Sequence, residues 1–91
     1  MSWQLIYTEQ YMRKAAKFIK QHPDALNQYA KTLTLMEINP HHPSLRLHNL
    51  QGRLSGLQSV SINLKYRITI EMIVTEKDII LVNVGDHKQV Y

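Results

Sequence analysis

The fold of this chain is decided by residues 57–74, which read LQSVSINLKYRITIEMIV. Polar residues alternate in this stretch with the apolar series Val60, Ile62, Leu64, Tyr66, Ile68, Ile70 and Met72. A period of two is typical of strands that bury one face and expose the other. We predict two antiparallel strands joined by a short turn near Asn63–Lys65.

The flanking segments extend this hairpin into an α+β domain. IILVNV at residues 79–84 is apolar on both faces, which is typical of a central strand. SWQLIY at residues 2–7 predicts a short first strand with Trp3, Leu5 and Tyr7 on one face. A loop with a short extended piece at 45–48 precedes the hairpin. The predicted order is β-α-α-β-β-β, with two N-terminal helices packed on one face of a mainly antiparallel sheet.

Two amphipathic segments between the first strand and the loop predict the helices. Thr8 is suited to cap a helix over 9–21, and Pro23 or Asp24 opens a second helix that stops before Pro40. The buried positions that we expect on these helices are Tyr11, Ala15, Phe18, Ile19, Leu26, Tyr29, Ala30, Leu33 and Met36.

Length and composition narrow the class of protein. The chain has 91 residues, so we expect one domain over 1–91. It has no cysteine, which excludes disulfides and cysteine metal sites, and no apolar run approaches the roughly 20 residues of a membrane span. Its start lacks the features of a signal peptide. We therefore expect a cytoplasmic protein without a membrane partner.

The charge distribution favours an anionic partner. The net charge is +4, and no carboxylate side chain occurs between Glu37 and Glu71. That interval contains Arg46, Arg53, Lys65, Arg67, His41, His42 and His48, and the first helix carries Arg13, Lys14, Lys17 and Lys20. Charge alone does not distinguish among RNA, DNA and an acidic protein.

The end of the chain carries chemically active side chains. Two helices cover only one face of the sheet, so the other face should be polar and carry Arg67. We expect Gly85 to turn the chain, which brings His87 and Tyr91 near that face. Histidine transfers protons near neutral pH, tyrosine stacks on bases, and arginine binds phosphate. These groups suffice to cleave RNA without a metal ion.

Each of these residues also has a structural alternative. His87 fits a turn and His48 a surface position, Arg67 fits a pair with Glu71, and Tyr91 fits a hydrophobic plug. A zinc site would need His41, His42, His48 and His87, whose spacing matches no standard pattern. We expect no metal or other cofactor.

Two segments resemble the RelE/ParE superfamily of toxins from type II toxin–antitoxin systems. They are PSLRLHNLQGRLSGLQSVSINLKYRI at 43–68 and VNVGDHKQVY at 82–91. The looser pattern is H-x-L-x-G-x-L-x-G, then Y-R-I, then G-x-H and an aromatic residue. It is met by His48, Leu50, Gly52, Leu54, Gly56, Tyr66, Arg67, Ile68, Gly85, His87 and Tyr91. The likeness is greatest to the YafQ-like and RelE-like branch.

The resemblance implies a RelE-like fold and a metal-independent endoribonuclease that cleaves ribosome-bound mRNA and so inhibits translation. Its partners would be the ribosome, mRNA and a cognate antitoxin, which would set the oligomeric state; such pairs also act in plasmid stabilization. His48 and His87 would act as acid and base, in either order. Arg67 would stabilise the phosphate and Tyr91 would orient the substrate. The RNA contacts would come from Arg46, Arg53, Lys65 and Ser61.

Ser61 departs from the pattern of this family. Many active members have an arginine or histidine at that position, which contacts the scissile phosphate or shares the proton transfer. Two alternatives to the nuclease therefore stay open. The first is a ParE-like inhibitor that binds gyrase without catalysis, and the second is a weakened toxin that chiefly binds its antitoxin.

Overall fold

The computed structural model describes residues 2–86, which form an α+β domain. The strands and helices, in chain order, are β1 Gln4–Ile6, α1 Glu9–Gln21, α2 Leu26–Ile38, β2 His48–Asn49, β3 Gln58–Ser61, β4 Tyr66–Ile73 and β5 Asp78–Asp86. The predicted fold class and order are confirmed, with one short strand, β2, added before the hairpin. His87 and Tyr91 lie outside the described residues.

The first helix has the predicted bounds because its start is capped locally. The Thr8 hydroxyl accepts a hydrogen bond from the backbone N–H of Tyr11 at 3.1 Å, which satisfies a donor that the first turn leaves free. The second helix begins later than predicted, because Pro23–Ala25 forms a 3-10 turn. Across residues 2–86, neither helix is long and apolar enough to cross a bilayer.

The five strands form one mixed sheet in the order β1-β5-β4-β3-β2. β1 runs parallel to β5, and the other neighbouring pairs are antiparallel. β5 therefore lies inside the sheet, between β1 and β4, which confirms the prediction from its apolar sequence. The turn between β3 and β4 also lies where it was predicted.

The core lies between the helices and one face of the sheet. Val60, Ile68 and Val84 are paired across three strands and are at most 6% exposed. From the helices, Tyr11 and Phe18 enter the same core cluster. Burying each such side chain stabilises the fold by about 1.5–3 kcal/mol, so the alternating pattern of the hairpin orients the whole sheet.

Several local predictions are wrong. Gly85 does not begin a turn: it lies within β5 and pairs with Arg67, so the strand continues to Asp86. Asn63 lies in the predicted turn, where its side-chain amide donates to the Gln28 side chain of α2 at 2.8 Å. Leu64, in the same turn, is 84% exposed because no element packs over it.

The extended pieces before the hairpin also differ from the prediction. Residues Pro43–Leu45 form a 3-10 turn, and the extended pair starts only at His48. The first strand is shorter than predicted, since it ends at Ile6 and leaves Tyr7 exposed. These segments have few residues, so contacts with the rest of the fold override their local pattern.

Candidate functional site

The candidate site is the face of the sheet that the core residues do not occupy, here called the polar face. One cross-strand row on this face consists of His48, Ser59, Thr69 and Asn83. Paired residues of neighbouring strands direct their side chains to the same face of a sheet. The row therefore crosses four strands, from β2 at the sheet edge to β5.

A second row on the polar face consists of Ser61, Arg67 and Gly85. Arg67 is two residues from Thr69 along β4, so the sheet places His48 and Arg67 on the same face. Strand spacing and rise put their Cα atoms about 12 Å apart. This distance allows two long side chains to reach toward a common substrate.

The polar face is less open than its sequence predicts. Ser59 is fully buried, Thr69 is 2% exposed and Ser61 is 7% exposed. Other members of the two rows reach solvent: His48 is exposed, and Arg67 and Asn83 are half-buried. The face presents a histidine and an arginine above a floor of small hydroxyl side chains.

A backbone contact sets the tautomer of His48. Its ring Nδ1 lies 3.0 Å from the carbonyl oxygen of Arg46, which can only accept a hydrogen bond. Nδ1 therefore carries the proton in the neutral ring, and Nε2 carries the lone pair. Arg46 adopts a left-handed backbone (φ 50°) at the end of the 3-10 turn that precedes β2. The neutral ring thus has the form of a base at Nε2.

No carboxylate of residues 2–86 forms an ion pair with Arg67. Within residues 2–86, the ion pair in the structure joins Arg13 to Glu9 on α1, and the pair of Arg67 with Glu71 that was one alternative does not form. Arg67 Nε and Thr69 Oγ1 are buried atoms that form no hydrogen bond with any described residue. The guanidinium thus remains available to an anion.

Ser61 is engaged locally. Its hydroxyl donates to the backbone carbonyl of Asn63 at 2.6 Å, across the start of the β3–β4 turn. A hydroxyl has one proton, so Ser61 has none left to donate to a phosphate. The predicted contact of Ser61 with RNA would require this hydroxyl to change partners.

The predicted RNA-contacting cations occupy different places. Arg46 and Arg53 are exposed on the segment that leads into β3. The Lys65 ammonium lies 5.4 Å from the centroid of the Tyr66 ring, and the Tyr66 hydroxyl contacts His22 at the end of α1. Lys65 therefore leans toward the helix side of the sheet rather than toward Arg67.

The other histidines before residue 87 have structural contacts. The His42 ring accepts from the N–H of Ser44 at 3.1 Å, and His41 meets the Trp3 ring edge to face. The centroid of the His22 ring lies 5.1 Å from that of the Phe18 ring, and the two ring planes are tilted by 49°. Among residues 2–86, no group of three or more histidine, aspartate or glutamate side chains is placed to hold a metal ion.

The alternating pattern places Thr69 on the polar face, but nothing in the sequence gives a reason to assign it a functional role. A threonine in a strand is ordinary, and nothing in the alternating pattern distinguishes it from Ser59. What distinguishes Thr69 is a buried hydroxyl that has no hydrogen-bond partner within residues 2–86, and only the folded structure reveals this.

Sequence comparison alone finds no relative: no protein-family model matches the chain, and no curated protein does. Solved structures are similar in fold. YafQ from E. coli strain BL21(DE3) has a TM-score of 0.80 at 18% identity, with 98% of each chain covered. The E. coli DinJ–YafQ toxin–antitoxin complex matches at 0.78 and 19%, with 100% of this chain and 99% of the other covered.

A more distant match extends the comparison. The toxin–antitoxin complex RelBE2 from Mycobacterium tuberculosis has a TM-score of 0.70 at 17% identity, over 96% of this chain and 100% of the other. Each of these likenesses spans nearly the whole of both chains. The chain therefore has the fold of the RelE/YafQ-like toxins.

Proposed function

We propose that this chain is the toxin of a toxin–antitoxin pair and that it cleaves ribosome-bound mRNA in the cytoplasm without a metal ion. The observation that supports the proposal is that His48 and Arg67 lie together on the polar face. On a fold that matches YafQ over 98% of both chains, the sheet register gives this face a histidine, His48, and an arginine, Arg67.

The tautomer of His48 supports its role as the general base. Its Nε2 lone pair would take the proton of a ribose 2′-hydroxyl, and the 2′-oxygen would then attack the adjacent phosphorus. His87 would protonate the departing 5′-oxygen, which leaves a 2′,3′-cyclic phosphate on the other fragment. Arg67 would stabilise the charge on the phosphate, and Tyr91 would stack on a base.

The exposed cations near the polar face would position the RNA. Arg46 immediately precedes Leu47 and His48, so a phosphate bound there lies close to the proposed base. Arg53 would extend this contact along the backbone of the RNA. These interactions depend on charge rather than on base identity, so they would act on any mRNA sequence.

Expression of the chain alone in bacteria tests the proposal. We expect growth arrest and mRNA truncated within translated regions, and no truncation of a transcript whose start codon is removed. His87→Ala should abolish both effects, and circular dichroism should show that the variant is folded. Equal toxicity of wild type and His87→Ala would refute the assigned chemistry.

A second candidate, a ParE-like inhibitor of DNA gyrase, is favoured by Ser61. The hydroxyl at this position carries no charge and is bonded to Asn63, so it cannot assist catalysis as a cation would. Under this alternative, expression would induce DNA damage and leave mRNA intact. Assays of transcripts and of DNA breaks in the same culture separate the two candidates.

In either case the proposed partner is an antitoxin. Two of the similar structures are toxin–antitoxin complexes. The positive net charge of this chain suits an acidic or amphipathic partner segment. Binding would raise the apparent stability of the toxin, because the antitoxin would bind the folded state alone.

A further inference from the structure

Two buried polar atoms on the polar face, Arg67 Nε and Thr69 Oγ1, have no hydrogen-bond partner among the described residues. Folded proteins rarely leave such atoms unpaired, because each lost its hydrogen bonds to water on burial. Thr69 is 2% exposed, so its hydroxyl bears almost the full energetic cost of losing its hydrogen bonds to water. A valine at this position would have nearly the same shape and would avoid that cost, because it has no hydroxyl.

The two atoms lie on the same side of one strand. Arg67 and Thr69 are two residues apart on β4, and consecutive side chains of a strand alternate between faces. The register of the hairpin also places Thr69 in the same cross-strand row as His48. Thr69 therefore lies between Ser59 and Asn83 across the sheet, with His48 one strand beyond Ser59, and Arg67 lies two residues away along β4.

The hydrogen-bond donors of Arg67 and Thr69 suit an oxyanion as their common ligand. A guanidinium only donates hydrogen bonds, and a threonine hydroxyl donates one, so a single anionic group with several oxygens can satisfy both. Phosphodiester oxygens meet this requirement. They also suit the stretch from residue 38 to residue 70, which contains no carboxylate side chain.

We infer that Thr69 and Arg67 together bind the scissile phosphate of the RNA, with Thr69 donating from the floor of the polar face. This inference rests on the proposed function. Both atoms are buried in the free protein, so the phosphate meets the outer guanidinium nitrogens of Arg67 first. The side chains around Thr69 must then move for its hydroxyl to reach the phosphate.

If the Thr69 hydroxyl binds the phosphate, Thr69→Val should be more stable than wild type but should cleave more slowly. Removing an unpaired buried hydroxyl should raise Tm by about 4 °C. Losing a donor to the phosphate should slow single-turnover cleavage of mRNA on purified ribosomes by at least about tenfold. Thr69→Ser keeps the hydroxyl and should recover most of the lost cleavage.

Thr32→Val is the matched control. Thr32 is 5% exposed, but its hydroxyl donates to the Gln28 carbonyl oxygen at 2.8 Å, on the helix layer. This variant removes a buried hydroxyl that has a partner. It should not raise Tm and should cleave at the wild-type rate.

Two results would overturn the inference while wild type remains an active nuclease. The first is cleavage by Thr69→Val at the wild-type rate; weaker antitoxin binding by the same variant would then assign the hydroxyl to a carboxylate of the partner. The second is a lower Tm for Thr69→Val, which would assign the hydroxyl a structural role. If wild type itself leaves ribosome-bound mRNA intact, the proposed function fails, and the RNA phosphate fails as the ligand of Thr69.

Discussion

At the scale of single residues, one hydrogen bond gives His48 its chemical character. The carbonyl of Arg46 accepts from Nδ1, so the neutral ring presents its lone pair at Nε2. A histidine held in one tautomer is better prepared for proton transfer than one that exchanges between tautomers. The proposed roles of His48 as base and of His87 as acid rest on this contact.

His48→Asn tests this assignment. The asparagine amide can donate to the Arg46 carbonyl as Nδ1 does, but it has no group that accepts a proton at neutral pH. We expect a folded protein with wild-type Tm and cleavage reduced at least about a hundredfold. Single-turnover cleavage of ribosome-bound mRNA measures the loss.

His41→Asn is the control for this variant, because His41 is an exposed histidine whose ring contacts Trp3. It should cleave at the wild-type rate. Near-normal cleavage by His48→Asn would show that another group takes the proton.

At the scale of elements, a buried pair of tyrosines joins the two helices. The hydroxyls of Tyr11 on α1 and Tyr29 on α2 are 2.9 Å apart. Burial strongly raises the pKa of Tyr11 above its usual 10.0, and the neighbouring Tyr29 raises it further. Burial also raises the pKa of Tyr29. The folded helix pair thus requires neutral phenols.

This pair predicts unfolding in alkali. Tyr11 in the unfolded chain titrates near pH 10.0, and in the folded chain it titrates higher. Its contribution to stability is therefore complete below pH 10 and is lost as the pH rises toward the folded pKa. Between these values the free energy of unfolding should fall by about 1.4 kcal/mol per pH unit for this one group.

Tyr11→Phe should reduce that pH dependence. At pH 7 the variant should be less stable by about 1 kcal/mol, because the hydroxyl of Tyr29 loses its partner. Above pH 10 its stability should fall less steeply than that of wild type. Urea unfolding at pH 7 and pH 11 gives both quantities, and parallel pH profiles for the two proteins would contradict the argument.

At the scale of the whole molecule, the positive charge of the chain would govern how it meets the proposed RNA substrate. The net charge of +4 is concentrated on exposed side chains, including Arg46 and Arg53. Phosphate contacts of this kind release counterions, so they weaken as salt concentration rises. The affinity for RNA is therefore predicted to depend on salt, while the chemistry at His48 depends on geometry.

The double variant Arg46→Gln and Arg53→Gln tests the electrostatic contribution. Two fewer phosphate contacts should reduce the slope of log K against log salt by about 1.4 for single-stranded RNA. Fluorescence anisotropy with a labelled RNA whose 2′-hydroxyls are all blocked as 2′-O-methyl ethers avoids cleavage during the titration. Lys20→Gln, a change on α1, is the comparison variant. An unchanged slope in the double variant would remove both arginines from the RNA interface.

Local interactions made much of the fold predictable. The cap from Thr8 and the spacing of Tyr11 and Phe18 lie within one helix, so the sequence determined where α1 begins and ends. The alternation from Val60 to Ile70 likewise determined the core face of the hairpin, because a one-residue slip would expose every apolar side chain. The polar face and the place of Arg67 on it follow from the same alternation.

Contacts between distant residues decided the rest. Gly85 lacks a side chain and tolerates a turn, but pairing with Arg67 keeps it in β5. The hydrogen bond between the Ser61 hydroxyl and Asn63 depends on how the turn closes. Whether the Thr69 hydroxyl finds a partner among the described residues depends on what packs around it. The sequence by itself determined the helices, the sheet and the face that carries the charged groups. Only the tertiary structure decided which polar groups have partners, because a hydrogen bond depends on distances that residue type and spacing do not specify.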